Sequence, residues 1–164
     1  MKYLILLKSI NHHYNNFMNK IILIIAKGFG LGNLPFFPGT FGTLIGIIPC
    51  YLLLNLSIKF QIIYCLILVA FAIFICSKAS KIIDEKDPSC IVADEFCTLP
   101  ISIIGFNDPV FILTGFIFHR FFDILKPWPI KKIEKLSGGY GIVLDDFLAA
   151  IFALIINNVL ILMT

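Results

Sequence analysis

The chain has 164 residues, room for one domain; 59% are hydrophobic, only 14% are charged, and the mean hydropathy is +0.97. A soluble domain is about 45–50% apolar and about 25% charged, so the expected solvent here is a bilayer. This composition excludes a secreted disulfide scaffold and a disordered chain, and a net charge of +3 without dense basic runs excludes a typical nucleic-acid binder.

Residues 1–20 read as a loosely held N-terminal extension. The run is broken by Lys8 and has no small-x-small cleavage site, which makes it a poor signal peptide. Residues 21–164 are expected to form a single membrane domain. Apolar runs follow at 21–26, 44–56, 62–76, 96–106, 110–118 and 147–163, with no NG or DG turn and no sustained alternation. The expected fold is therefore all-α. Thr40–Leu56, roughly Gln61–Ser80 and Phe147–Met163 each reach the ~17–20 residues that spanning the hydrocarbon core requires.

The run from Phe96 to Phe118 is interrupted by Gly-Phe-Asn-Asp-Pro at 105–109. Asp108 followed by Pro109 is a helix N-cap and first-turn signature. The segment therefore predicts a helical hairpin: one helix from about Pro88, after an Asp87 cap, to Ile104, kinked at Pro100, and another from Pro109 to about Lys126. Glu95 lies 11 residues before Phe106 and Arg120 lies 14 after it. At ~1.5 Å per residue both stand about 16–21 Å from the turn, which brings Asp94 and Glu95 level with Arg120 and Asp123.

A second hairpin, from Thr40 through the Asn55–Lys59 turn to Lys81, opens on the same side. The last helix is expected to begin there, at Asp145–Asp146. The result is a compact multi-helix membrane bundle of helical hairpins with its polar ends gathered on one face. Most basic residues, from Lys27 to Lys135, belong to that face, and only Lys59 clearly to the other. The positive-inside rule makes the gathered face cytoplasmic.

Five of the ten acidic residues fall in three places on that face: Asp94–Glu95, Asp123 and Asp145–Asp146. Carboxylates beside apolar helices are costly unless paired or bound to metal. Oxygen ligands without His or Cys suit a hard cation such as Mg²⁺. Each place also has a plain reading. Asp145–Asp146 would complement the start of the last helix, Asp123 would pair with Arg120 or Lys126, and Asp94–Glu95 would face solvent.

Arg120, the sole arginine, offers a planar fork for phosphate oxygens with Lys126 nearby, or a simple interfacial anchor. His119 points to another side and is expected at the interface. The stretch GFGLGNLPFFPGTFGT at 28–43 supplies Gly28, Gly30, Gly39, Thr40 and Gly42 ahead of a helix, suited to cradling an anion or simply to turning the chain. It is no P-loop, since the terminal Gly-Lys-Ser/Thr is absent. Ser137–Gly141 reads as a flexible lead, and Trp128 as an interface residue. The five cysteines (Cys50, Cys65, Cys76, Cys90 and Cys97) show no CxxC pair or metal spacing and are expected to pack as small hydrophobes.

Taken in order, GFGLGNLPFFPGTFGT, IVADEF (91–96), FHRFFDILKPWPI (118–130) and GGYGIVLDD (138–146) resemble the phosphatidylglycerophosphatase A family, from about Lys27 to the C-terminus. The resemblance implies a helical bundle that hydrolyses phosphatidylglycerophosphate to phosphatidylglycerol and phosphate with Mg²⁺, in an inner membrane with the site facing the cytoplasm. Carried over by position, it implies Asp94, Glu95, Asp123, Asp145 and Asp146 as metal ligands. Asp94, Glu95, Asp123, Arg120 and Lys126 become catalytic, and Gly28, Gly30, Gly39, Thr40 and Gly42 the glycine-rich pattern.

Cys97-Thr98 after the acid pair is smaller than that family leads one to expect, and the 84–87 linker follows no fixed pattern. Neither a Cys-x5-Arg nor an Asp-x-Asp-x-Thr phosphatase motif is present. An alcohol-transferring enzyme would need a longer acidic signature along one helix. A structural or ion-transport subunit, the remaining alternative, would place acids at mid-span rather than at helix ends.

Overall fold

The computed structural model describes residues 15–134, 136 and 138–163. In chain order these form α1 (residues 15–26), a 3-10 segment Gly28–Asn33, α2 (Pro38–Ile45), α3 (Ile47–Leu53), α4 (Ile58–Ile83), α5 (Ala93–Thr98), a second 3-10 segment Leu99–Ile103, α6 (Val110–Leu125), α7 (Ile130–Ile133) and α8 (Gly139–Leu162). The described residues contain no strand, so the all-helical bundle holds. Of the expected N-terminal extension, residues 1–14 lie outside the described residues, and 15–20 are helical and mostly exposed.

Helix α8 is the central element, packing along α6 and α4 and reaching α5, α7 and the second 3-10 segment. One apolar core joins Ala72, Cys76, Cys97 and Val143 beneath the polar end. Another joins Cys50, Leu53, Leu99, Ile112 and Ala150 deeper in the bundle. All five cysteines are free thiols and all but Cys90 are fully buried, in keeping with a packing role. Large apolar side chains such as Ile63, Leu66, Ile67, Leu113 and Ile117 face outward. Helices α4 and α8 are long and apolar enough to cross a membrane, and this outward apolar coat suits lipid better than water.

Three boundaries differ from those expected. Thr40–Leu56 is two helices, broken at Gly46. Pro49 explains the break: its ring crowds the carbonyl four residues back, on Ile45, where α2 ends. The helix expected from Pro88 to Ile104 begins only at Ala93, with Val92 rather than Asp87 before it, and tightens to 3-10 geometry at Leu99. Pro100 thus ends α5 instead of kinking it, again because it lacks the N–H that would continue the ladder.

The last helix starts at Gly139 and not at Asp145–Asp146. Gly138 at φ 68° supplies the sharp entry. Gly139 then lies so close to Ser77 and Ile73 of α4 that no Cβ would fit. The expected flexible lead is therefore a first helical turn locked onto its neighbour. The Asp108–Pro109 signature holds to within a residue: the Asp108 carboxylate accepts the Val110 N–H at 2.9 Å as α6 begins.

Candidate active site

The later start of α8 places Asp145 and Asp146 nearly two turns inside the helix, at 5% and 3% exposure. They face α5, whose first turn carries Asp94 and Glu95, both buried rather than solvent-facing. The last turns of α6 add Asp123, and the chain just beyond adds Lys126. All six side chains line one cavity of about 280 Å³, together with Asp87 and Ser89 of the α4–α5 connection. The five acids expected on one face are thus brought together.

Two cations organise the acids. Arg120 donates to Glu95 at 3.1 Å and to Asp123 at 2.7 Å, and its Nη1 reaches the Thr43 hydroxyl at 3.4 Å. Lys126 bridges Asp145 at 2.9 Å and Glu134 at 2.8 Å. It reaches both because it caps α6 in the left-handed conformation (φ 43°), which turns the chain back toward α8. Burial opposes the Lys126 charge, yet its bonds to Glu134 and Asp145 prevail and hold the ammonium above its usual range.

Asp94 and Asp146 have no such cation. They line the same cavity, and neither forms an ion pair among the described residues. Burial, and then the Asp145 charge, push the Asp94 carboxyl up. Burial and the Asp94 charge do the same to Glu95 against the pull of Arg120.

Asp94 Oδ1, Glu95 Oε2, Asp145 Oδ1 and Asp146 Oδ1 are all buried without a hydrogen-bond partner. Unsatisfied buried polar atoms in a native fold call for a ligand, a water or an ion. An all-oxygen donor set with several free lone pairs fits a hard divalent cation. No three His, Cys, Asp or Glu side chains are already drawn into a closed coordination cluster among the described residues. Mg²⁺ needs none, since it takes one or two carboxylates and completes its shell with water and substrate phosphate.

The glycine-rich stretch divides. Gly39 and Gly42 stand on the face of α2 against Glu95, where a Cβ would collide with its carboxylate, and at Gly39 also with the Arg120 guanidinium. They let Glu95 lie against the α2 backbone and so seat Arg120. Gly28 is buried against Ile45 and Val92. Gly30 lines a separate cavity of about 430 Å³ with Leu23, Ile24, Lys27, Phe29 and Asn33. Thr40 is half-buried on α2, while the hydroxyl that reaches Arg120 belongs to Thr43.

Sequence reading missed Thr43, Glu134 and the cavity position of Asp87. It also put His119 at the interface, whereas His119 is fully buried. The i, i+3 spacing of Gly39 and Gly42 was the available signal for a close approach. Nothing local marked the depth of His119.

The phosphatidylglycerophosphatase A family model matches residues 24–161. A Haemophilus influenzae protein named phosphatidylglycerophosphatase A is 38% identical over 87% of this chain and 93% of its own length. The Escherichia coli protein of the same name is 32% identical over 79% and 77% respectively. A Bacteroides thetaiotaomicron protein named for a phosphatidylinositol-3-phosphatase activity is 34% identical over 82% and 89%. No solved structure matches the chain. The five acids, their two organising cations and this match over nearly the whole described bundle place the chain in the phosphatidylglycerophosphatase A family of phosphatases.

Proposed function

We propose that this chain hydrolyses the phosphomonoester of phosphatidylglycerophosphate to phosphatidylglycerol and inorganic phosphate, with Mg²⁺, at the cytoplasmic face of an inner membrane. The observation that carries the reading is the meeting of five acids from α5, α6 and α8 on one cavity, four of their oxygens lacking a partner. Two of the relatives above carry the name of this activity. The third is named for a different lipid headgroup and the same bond class.

Asp94, Asp145 and Asp146 would hold the cation, with Glu95 and Asp123 beside them. When bound, it would supply Lewis-acid stabilisation of phosphate oxygens and a water of lowered pKa. The chain's own residues do the rest. Arg120, whose Nη1 is held by Glu95, Asp123 and Thr43 beside the cavity, keeps Nε without a partner and would offer its remaining N–H groups to the equatorial oxygens of the transferring phosphoryl group. Lys126 offsets part of the acidic surplus around the cavity. A water in the cavity would attack phosphorus as the bond to the glycerol oxygen breaks, its proton passing by way of a cavity carboxylate to the departing glycerol oxygen. Acyl chains remain in the bilayer throughout, which avoids exposing methylenes at ~0.8 kcal/mol each.

The test is phosphate release from phosphatidylglycerophosphate by the purified protein in mixed micelles, with Mg²⁺ or EDTA, beside Asp123→Ala. Release that needs Mg²⁺ and disappears in the variant is expected. Release from phosphatidylinositol 3-phosphate alone would move the substrate to the other headgroup. No release from a folded protein would restore the structural or ion-transport reading.

A further inference from the structure

Helix α5 packs on α2, α4 and α8 but makes little backbone approach to α6. Two side-chain links cross that gap: Glu95 with Arg120 at the cavity, and Thr98 with His119 beneath it. Both partners of the second link are 0% exposed. Thr98 is one turn beyond Asp94 on α5, and His119 directly precedes Arg120 on α6. The buried link therefore sits under the acids of one helix and the guanidinium of the other.

The hydrogen-bond distances favour one tautomer of the ring. The Thr98 hydroxyl has one proton, and Oγ1 stands 2.8 Å from the Asp94 carbonyl, an acceptor only. That proton goes to the carbonyl, so Oγ1 accepts from His119 Nε2–H at 3.2 Å. The neutral ring is left with a bare Nδ1, buried without a hydrogen-bond partner. A buried ring nitrogen without a partner is a cost that a phenyl ring would not carry.

We propose that His119 is a positioning residue, which through Thr98 fixes the Asp94–Glu95 turn of α5 relative to Arg120 on α6. It touches neither substrate nor phosphate. It sets the distance between two helices whose side chains do. The inference rests on the phosphatase reading of the cavity for its kinetic consequence, while the Thr98–His119 bond itself can be tested without activity.

Four variants separate the roles. Gln places an N–H where Nε2 stands and Asn does not. Ser keeps the Thr98 hydroxyl and Val removes it. His119→Asn and Thr98→Val are expected to lower kcat by about 30–100-fold with KM within twofold, as misplacement of about 1 Å does. His119→Gln and Thr98→Ser should keep roughly a third of the activity or more. The double variant Thr98→Val/His119→Asn should be no slower than either single one, because both break the same bond.

Equal, wild-type turnover in the Gln and Asn variants would overturn the proposal. Strictly additive losses, or losses matched by a falling folded fraction in thermal melts, would do the same. In detergent, ¹⁵N NMR of the histidine rings should show His119 as the Nε2–H tautomer, its preference lost in Thr98→Val. An Nδ1–H tautomer sinks the proposal. If the wild-type protein releases no phosphate, the functional reading fails, and the tautomer still decides whether Thr98 holds His119.

Discussion

Two buried polar regions of this bundle are built on opposite rules. Toward the end opposite the cavity, fully buried Asn157 of α8 donates to the Ser102 carbonyl at 2.9 Å and the Phe111 carbonyl at 3.2 Å. It also accepts the Thr114 hydroxyl at 2.6 Å. Gln61 is similarly satisfied, donating to Leu53 and accepting the Gly105 N–H. At the polar end, by contrast, Asp94, Glu95, His119, Arg120, Asp145 and Asp146 each keep a buried atom without a partner. Every such atom among the described residues belongs to that end.

The first region joins α6, α8 and the 3-10 segment and leaves nothing over. The second is held in place by only part of its hydrogen-bonding capacity. The difference separates polar groups that make the fold from polar groups that the fold holds ready for something else.

This contrast can be broken most forcefully at Asp146. Asp146→Asn should lower phosphate release by about 10²–10³-fold, the scale of removing a preorganised electrostatic group. Its melting temperature should hold or rise, because the buried charge next to Asp94 is gone. A variant that is both active and destabilised would place Asp146 with the fold-making groups.

Gly39→Ala is the next most informative, expected to cost about 10²-fold in kcat by displacing Glu95 and Arg120 with little change in melting. Wild-type kinetics there would detach α2 from the site. Asn157→Ala should do the reverse, losing about 1–3 kcal/mol of stability with turnover of the folded fraction nearly unchanged. Thermal melts read beside specific activity decide it. Thr43→Val should be mildest, a loss of roughly fivefold that Thr43→Ser restores, because its bond to Arg120 is long and two carboxylates already hold that group.

Much of this site was legible in the sequence because it depends on distances along helices. The turn at 105–109 and a fixed rise per residue were enough to bring Asp94 and Glu95 beside Arg120 and Asp123. What escaped depends on contacts between elements. Asp145–Asp146 looked like a helix start because the Gly138-Gly139 pair reads as a flexible lead, and only the seat of Gly139 on Ser77 turns it into helix. The glycines of α2 looked like an anion loop because the carboxylate they admit comes from 50-odd residues away. His119 looked interfacial because an apolar neighbourhood in sequence is the same on both faces of a helix.

Helix length carries a last consequence. Helix α4 has 26 residues and rises ~39 Å, whereas α6 has 16 and rises ~24 Å, less than the ~30 Å hydrocarbon thickness of a bilayer. Placed in a membrane, the bundle is mismatched on the flank where α6 lies, and lipid there would thin to meet it. The headgroup layer would be drawn inward beside the helix that carries Arg120 and Asp123. Under the proposed function, a phosphomonoester at the tip of a lipid would then meet its site by lateral diffusion through a local dimple, without leaving the leaflet.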